Sequence, residues 1–213
     1  MYLAFDTETT GLVNFKIPFD QQTSRMVQLG MILLDEKLEI VSEVGVVIKP
    51  EGFTIPEKMT EIHGISQSIA EKYGVPLHAA LEVFNSFASV ARVYIGHNLK
   101  FDKAIVASEF ARDTTSLYSW LVHDEYCTML QSTGICKLPG AHGYKWPKLS
   151  EAYKFFFNET LIDSHDALTD VRATVRIYKE LMNRQKPNPN YINIPKDCPN
   201  PFPKPAPLTS ALP

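Results

Sequence analysis

Paired cysteines are missing from this sequence of 213 residues. Cys127, Cys136 and Cys198 are odd in number and show no CxxC spacing, which argues against a disulfide framework and against a cysteine-built zinc site. Long hydrophobic runs are missing too. No stretch reaches the length of a membrane span, and the N-terminus lacks the basic segment and apolar run of a secretory signal. The expectation is a cytoplasmic protein with no membrane partner. Nor is there a large excess of either charge: a net charge of −3 means that the surface as a whole is no magnet for nucleic acid. Any such contact has to be local. Internal repeats are absent.

What is present reads as one soluble globular domain. Apolar residues at 45% and charged residues at 21% are ordinary proportions, and the length suffices for one substantial core but not for two large ones. The composition changes sharply at Lys186, where KPNPNYINIPKDCPNPFPKPAPLTSALP alternates proline with small and polar residues. Proline lacks the amide donor and fixes its own φ, so this segment suits neither a helix nor a central strand. The expected organisation is a domain over 1–185 and an extended Pro-rich tail over 186–213.

Within the domain, YLAFDT suits a buried strand, and MVQLGMILLD followed by EIVSEVGVVIKP reads as two strands turning at Asp35 to Lys37. Pro56 and Ser66 mark helix starts. Leu77, Leu81, Phe84, Phe87, Ala88 and Ala91 fall near helical spacing, ARVYIGH reads as a strand, and FDKAIVASEFAR as the helix after it. Two more helices are expected, one presenting Leu149, Ala152, Tyr153 and Phe156, the other Ala167, Val171, Thr174, Tyr178 and Leu181. Strands that begin as a meander and later alternate with helices predict an α/β fold, a mixed sheet with helices packed on it.

The charged residues of FDTETTGL do not fit a plain core strand. Side chains alternate along a strand, so Asp6 and Glu8 share a face roughly 7 Å apart while Thr7 points the other way. Two half-buried carboxylates repel unless cations lie between them, and hard divalent ions with oxygen ligands fit that need. Solvation at a wet strand end is the competing explanation. Asp102 follows GHNLKF at a strand-to-helix junction, where open sheets place their sites. It also suits a helix N-terminus on electrostatic grounds alone. Asp170 falls in the first turns of the last helix, with Asp166 or Ser164 available as its cap. His165 stands five positions before Asp170, about 500° around an ideal helix, so it should precede the helix proper.

FDTETTGL, HNLKFD and HDALTD, in this order, resemble the three motifs of the DEDDh 3′→5′ exonucleases, relatives of the proofreading epsilon subunit of DNA polymerase III, oligoribonuclease and RNase T. IHGIS at 62–66 resembles a segment that accompanies the proofreading-type branch. The resemblance implies a ribonuclease H-like fold with a five-stranded mixed sheet flanked by helices. It implies two divalent cations, Mg2+ or Mn2+, held by Asp6, Glu8, Asp102 and Asp170, and His165 as the base that takes the proton of the attacking water. Substrate contacts implied by position are Thr7, Leu12, His63, Asn98 and Phe101, with Leu12 as an apolar wedge against terminal bases. Lys100, Lys103, Lys145, Lys148, Arg172 and Arg176 are candidates for phosphate contacts.

The expected function is hydrolysis of single-stranded DNA from its 3′ end to nucleoside 5′-monophosphates, in replication proofreading or repair, with a DNA polymerase or replication complex as a further partner. The alternatives are an exoribonuclease of the oligoribonuclease or RNase T type, a hydrolase of small phosphate esters, and a non-catalytic nucleic-acid-binding scaffold. Loss of a motif residue would favour the scaffold, and all five are in place.

Overall fold

The structure, a computed structural model, describes residues 1–113, 123–162 and 164–184. The Pro-rich segment 186–213 lies outside the described residues. Five strands form one sheet: β1 (Tyr2–Thr9), β2 (Met26–Leu34), β3 (Ile40–Val47), β4 (Val93–Gly96) and β5 (Asp124–Cys127), in the order β3-β2-β1-β4-β5. β1 runs antiparallel to β2 and β2 to β3, whereas β4 and β5 join in parallel on the other side of β1. The mixed sheet expected from the sequence is present.

Helices cover both faces. α1 (Glu57–His63) and α2 (Gln67–Tyr73) start after Pro56 and Ser66, as expected, and the Ser66 hydroxyl accepts from the Ile69 amide. α3 (Leu77–Val90) and α4 (Leu99–Arg112) pack on the face of β1 that carries Leu3 and Phe5, where Phe84, Tyr94, Ile105 and Phe110 complete the larger core cluster. α7 (Ala167–Arg184) packs on the opposite face, against Ala4, Ile32, Leu34 and Ile95, through Val171, Val175 and Tyr178. α5 (Thr128–Cys136) and α6 (Leu149–Phe157) lie beside α7, with Cys136, Ala152, Ile177 and Leu181 in one cluster. A two-stranded hairpin, β6 (Pro139–Gly140) and β7 (Gly143–Tyr144), separates α5 from α6. β5, α5 and this hairpin are absent from the sequence reading: DEYC is short and polar, and TMLQSTGIC lacks a clear helical stripe.

Two features of the sheet decide where chemistry can occur. β4 pairs with β1 only from Tyr2 to Ala4, so β1 runs on beyond its parallel neighbour and leaves the backbone amides of its last residues to find other partners. Second, every residue of β2 is buried, including Gln28 and Gly30, because helices cover it on both sides. Among the described residues no helix is long and apolar enough to cross a membrane.

Candidate active site

Alternation along β1 places Asp6 and Glu8 with Ala4 on the α7 face, and Thr7 with Leu3 and Phe5 on the α4 face. Asp102, in the first turn of α4, is buried on that second face. There its Oδ1 accepts from the Thr7 backbone N–H at 3.0 Å and from the Thr7 hydroxyl at 2.8 Å. Asp102 thus takes the amide that β4 stops too early to pair. Thr7 enters the site as a brace for Asp102, and its hydroxyl is committed there.

From the opposite face, α7 brings Asp170 toward Glu8. Single ligand atoms of Glu8, His165 and Asp170 lie within 4.8 Å of one another. Asp170 is buried, its Oδ2 accepts from the His165 backbone N–H at 3.2 Å, and its Oδ1 has no hydrogen-bond partner among the described residues. His165 is exposed, sits ahead of α7 and has a left-handed backbone, φ 78°. The expectation that it precedes the helix proper holds.

The approach of α7 depends on residues that the sequence reading passed over. Gln28 lies opposite Glu8 on β2, and its side chain clamps the start of α7: its Nε2 donates to Asp166 Oδ2 at 2.7 Å and its Oε1 accepts from the Ala167 amide at 3.0 Å. Asp166 in turn accepts from the Thr169 amide at 2.9 Å and caps the helix. Gly30, opposite Asp6, and Gly45, opposite Gly30 on β3, form a saddle beneath the first turn of α7. A Cβ on Gly30 would lie 2.5 Å from the Ala167 carbonyl, and one on Gly45 would lie 3.1 Å from the Leu168 side chain. The visible signal was a Gln and a Gly two residues apart within a buried apolar strand, where each needs a reason.

The electrostatics are those of a site built for positive charge. Burial, then Asp102, Asp170 and Glu8 in turn, raises Asp6 well above the usual carboxylate range. Burial pushes Glu8 up to about 8, with Asp170 and Asp102 adding to it. Asp102 rises to about 7 through burial, against the two hydrogen bonds from Thr7 that stabilise its charge. Asp170 rises to about 6 through burial, opposed by the His165 amide bond. Four carboxyl groups that resist ionisation together, one with an orphaned buried oxygen, suit a divalent cation: added positive charge removes both penalties.

The remaining candidates scatter around this centre. Leu12 is 85% exposed on the loop after β1, and its carbonyl is held by the Ser24 hydroxyl. His63 ends α1, buried, and is held below its usual range by burial first and by His165 second, which places it beside the site. Asn98 is exposed in a left-handed conformation just before α4, whereas Phe101 packs against the main core. The Lys100 ammonium lies 4.6 Å over the ring of Phe15 on the Leu12 loop. Lys103 is a correction: it is buried and bonded to Glu125, so it meets no phosphate. Arg172 and Arg176 are engaged by Glu43 and Glu159.

Comparison with known proteins agrees with this architecture. The chain is 24% identical over 195 residues to the DNA polymerase III subunit epsilon of Treponema pallidum, with 90% of this chain and 81% of that protein covered. It is 24% identical over 193 residues to the PolC-type DNA polymerase III of Caldanaerobacter subterraneus subsp. tengcongensis, covering 86% of this chain but only 12% of the polymerase. Its fold matches Escherichia coli Exonuclease I in complex with a dT13 oligonucleotide at a TM-score of 0.70 and 20% identity, over 86% of this chain and 41% of that one. The chain therefore spans less than half of Exonuclease I and about an eighth of the polymerase. The exonuclease family model RNase_T matches residues 3–178, and the chain belongs to that family of nucleases.

Proposed function

We propose that the chain is a divalent-metal-dependent exonuclease that removes nucleoside 5′-monophosphates from the 3′ end of single-stranded DNA. One observation carries the reading: carboxylates from β1, α4 and α7 converge from both faces of the sheet around one strand end, with His165 at the rim. Asp6, Glu8 and Asp170 would hold one cation, and Asp6 with Asp102 a second, Mg2+ or Mn2+. Bound there, such a pair supplies charge stabilisation to the attacking and leaving oxygens at phosphorus.

The chain's own groups do the rest. His165 takes the proton of the attacking water, and its backbone link to Asp170 keeps the base hinged beside a metal-binding carboxylate. Thr7 holds Asp102 on the α4 side, so that it faces the site across the strand end. Leu12, exposed on a loop laced by Gln22 and Ser24, meets the terminal base. His63 and Asn98 line the pocket for the last nucleotide. Single-stranded DNA is supported by the dT13 complex of Exonuclease I, and work beside a replicative polymerase by the relation to an epsilon subunit. The nuclease unit is 1–185, and the Pro-rich 186–213 tethers it to a partner. Deleting the tail should remove a co-purifying protein, and an unchanged set of partners would refute the tether.

The test is polarity and chemistry together. Oligonucleotides of DNA and RNA, labelled at the 5′ end, are incubated with Mg2+ or Mn2+ and resolved by length. A ladder shrinking from the 3′ end of DNA, lost in Asp6→Asn, is expected. No ladder on any substrate would sink the enzyme, and preferred digestion of RNA would replace DNA with RNA as the substrate.

A further inference from the structure

The hairpin between α5 and α6 is unused by the catalytic reading, yet it is built with care at its foot. Residues 139–146 are all exposed, while Pro147 is buried. Tyr144 is 56% exposed and Trp146 65% exposed, large apolar rings that a solvated turn does not need. Lysines stand at 145 and 148, on either side of the Trp-Pro pair. The Lys145 ammonium pairs with Glu151 on α6, which also accepts from the Lys148 amide and so fixes this end of the hairpin to the helix.

The other anchor is His97. This buried residue follows β4 and precedes α4, five positions before Asp102. Its Nε2 lies 2.9 Å from the Pro147 carbonyl and therefore carries the proton, and its Nδ1 accepts at 2.9 Å from the hydroxyl of Thr128, the first residue of α5, whose one proton it shares with the Gly96 carbonyl at 3.2 Å. Burial holds His97 down to about 4, against the bond to Pro147, so the ring is neutral and this tautomer persists around neutral pH. One side chain thus ties the hairpin's foot to the loop that presents Asp102. Because β1, β4 and β5 run parallel as neighbours, their carboxyl ends point to one edge of the sheet, and α5 starts level with Asp6 on β1, about 10 Å, two strand spacings, to its side.

We propose that the Tyr144–Trp146 hairpin, tied at its foot by the His97 bond to the Pro147 carbonyl, is a stacking platform for the single strand upstream of the cleaved nucleotide. Exposed aromatic rings interleaved with lysines are the surface that an unpaired strand takes without regard to sequence, since every base has a face to stack. The negative net charge of the chain puts any grip on local patches, and here the rings supply it with Lys148, since Lys145 is already paired with Glu151. This inference rests on the exonuclease reading for its substrate, but not for its test.

Trp120→Phe leaves Trp146 as the sole tryptophan. In that background, with EDTA to prevent cleavage, a dT12 oligonucleotide should quench the fluorescence of Trp146. Trp146→Ala should weaken dT12 binding about tenfold by anisotropy, in the range that removing one stacked base covers. Trp146→Phe should recover much of it. With metal, Trp146→Ala should raise KM for dT12 with little change in kcat, and lower the preference for dT12 over a dinucleotide. Equal dT12 binding and KM in Trp146→Ala and wild type would overturn the platform while leaving the nuclease intact. A wild type that binds dT12 through Trp146 but digests nothing would fault the exonuclease reading instead. A shift of Trp146 fluorescence on deletion of 186–213, with none on adding dT12, would assign the hairpin to the tail and overturn the proposal.

Discussion

Gly30→Ala perturbs the site without touching any of its acids. The added Cβ would stand 2.5 Å from the carbonyl carbon and oxygen of Ala167 and 2.7 Å from the Leu168 nitrogen, all backbone atoms, where ordinary contact begins near 3.4 Å. The start of α7 must therefore lift by about 1 Å, because backbone in the first turn of a helix cannot rotate aside as a side chain would. Lifting strains the Gln28 clamp on Asp166 and Ala167 and carries Asp170 away from Glu8. Overpacking of this kind costs about 1–3 kcal/mol, and the weakened clamp about 1 kcal/mol more. A melting point lowered by roughly 4–16 °C follows for a chain of this size. The catalytic loss should be larger than the loss of stability suggests, roughly a hundredfold in kcat, since a displacement near 1 Å at a positioned group is enough for that. Two other glycines calibrate the experiment. Gly45→Ala meets only the Leu168 side chain at 3.1 Å and should cost less, and Gly134→Ala opens into space within a helix and should be neutral or slightly stabilising. Circular dichroism, thermal melts and single-turnover cleavage check the series. Full activity and an unchanged melting point in Gly30→Ala would refute the saddle.

Other predictions follow from the same geometry. The metal-free protein should lose stability as pH rises: Glu8, Asp102 and Asp170 have folded pKa values raised to about 8, 7 and 6, so the folded state binds more protons than the unfolded chain across about pH 4 to 8. The stabilisation is complete below the unfolded values and fades as pH climbs through the folded ones. Glu8 alone contributes up to about 4 kcal/mol between about pH 5 and pH 8. Thermal melts in EDTA should show the decline, Mn2+ should reverse it at the high end, and Glu8→Gln should flatten it; a metal-free melting point that rises over this window contradicts the assignment. Thr7→Val removes the hydroxyl bond to Asp102 but keeps the backbone one, and should lower kcat about tenfold by loosening Asp102. An unaltered kcat in that variant would mean that the hydroxyl is not needed as a brace.

Periodicity alone carried most of the fold, and particular residues show where it stopped. The alternation in FDTETTGL placed Asp6 and Glu8 on one face and Thr7 on the other, because a strand has only two faces. Ser66 and the buried rows of α3 and α7 were legible for the same local reasons. The partner of Thr7 was not, since that contact arises from β1 outrunning β4, a property of two strands distant in sequence. Gln28 and Gly30 read as interruptions in an apolar run until a helix 138 residues away in the chain is laid across them. DEYC became an edge strand through pairing with β4 and not through its own propensity. His97 looked like the end of a strand, and only the fold gives it two partners from two other segments.

The central claim, that acids from both faces of the sheet form one divalent-cation site, is tested most directly by calorimetric titration of Mn2+ into the metal-free protein at neutral pH, in two buffers of different ionisation enthalpy. Two bound ions per chain are predicted, with net release of protons from carboxyls that burial keeps partly protonated, and with loss of binding in Asp6→Asn. Mn2+ binding that survives in Asp6→Asn, or that releases no protons, would contradict it.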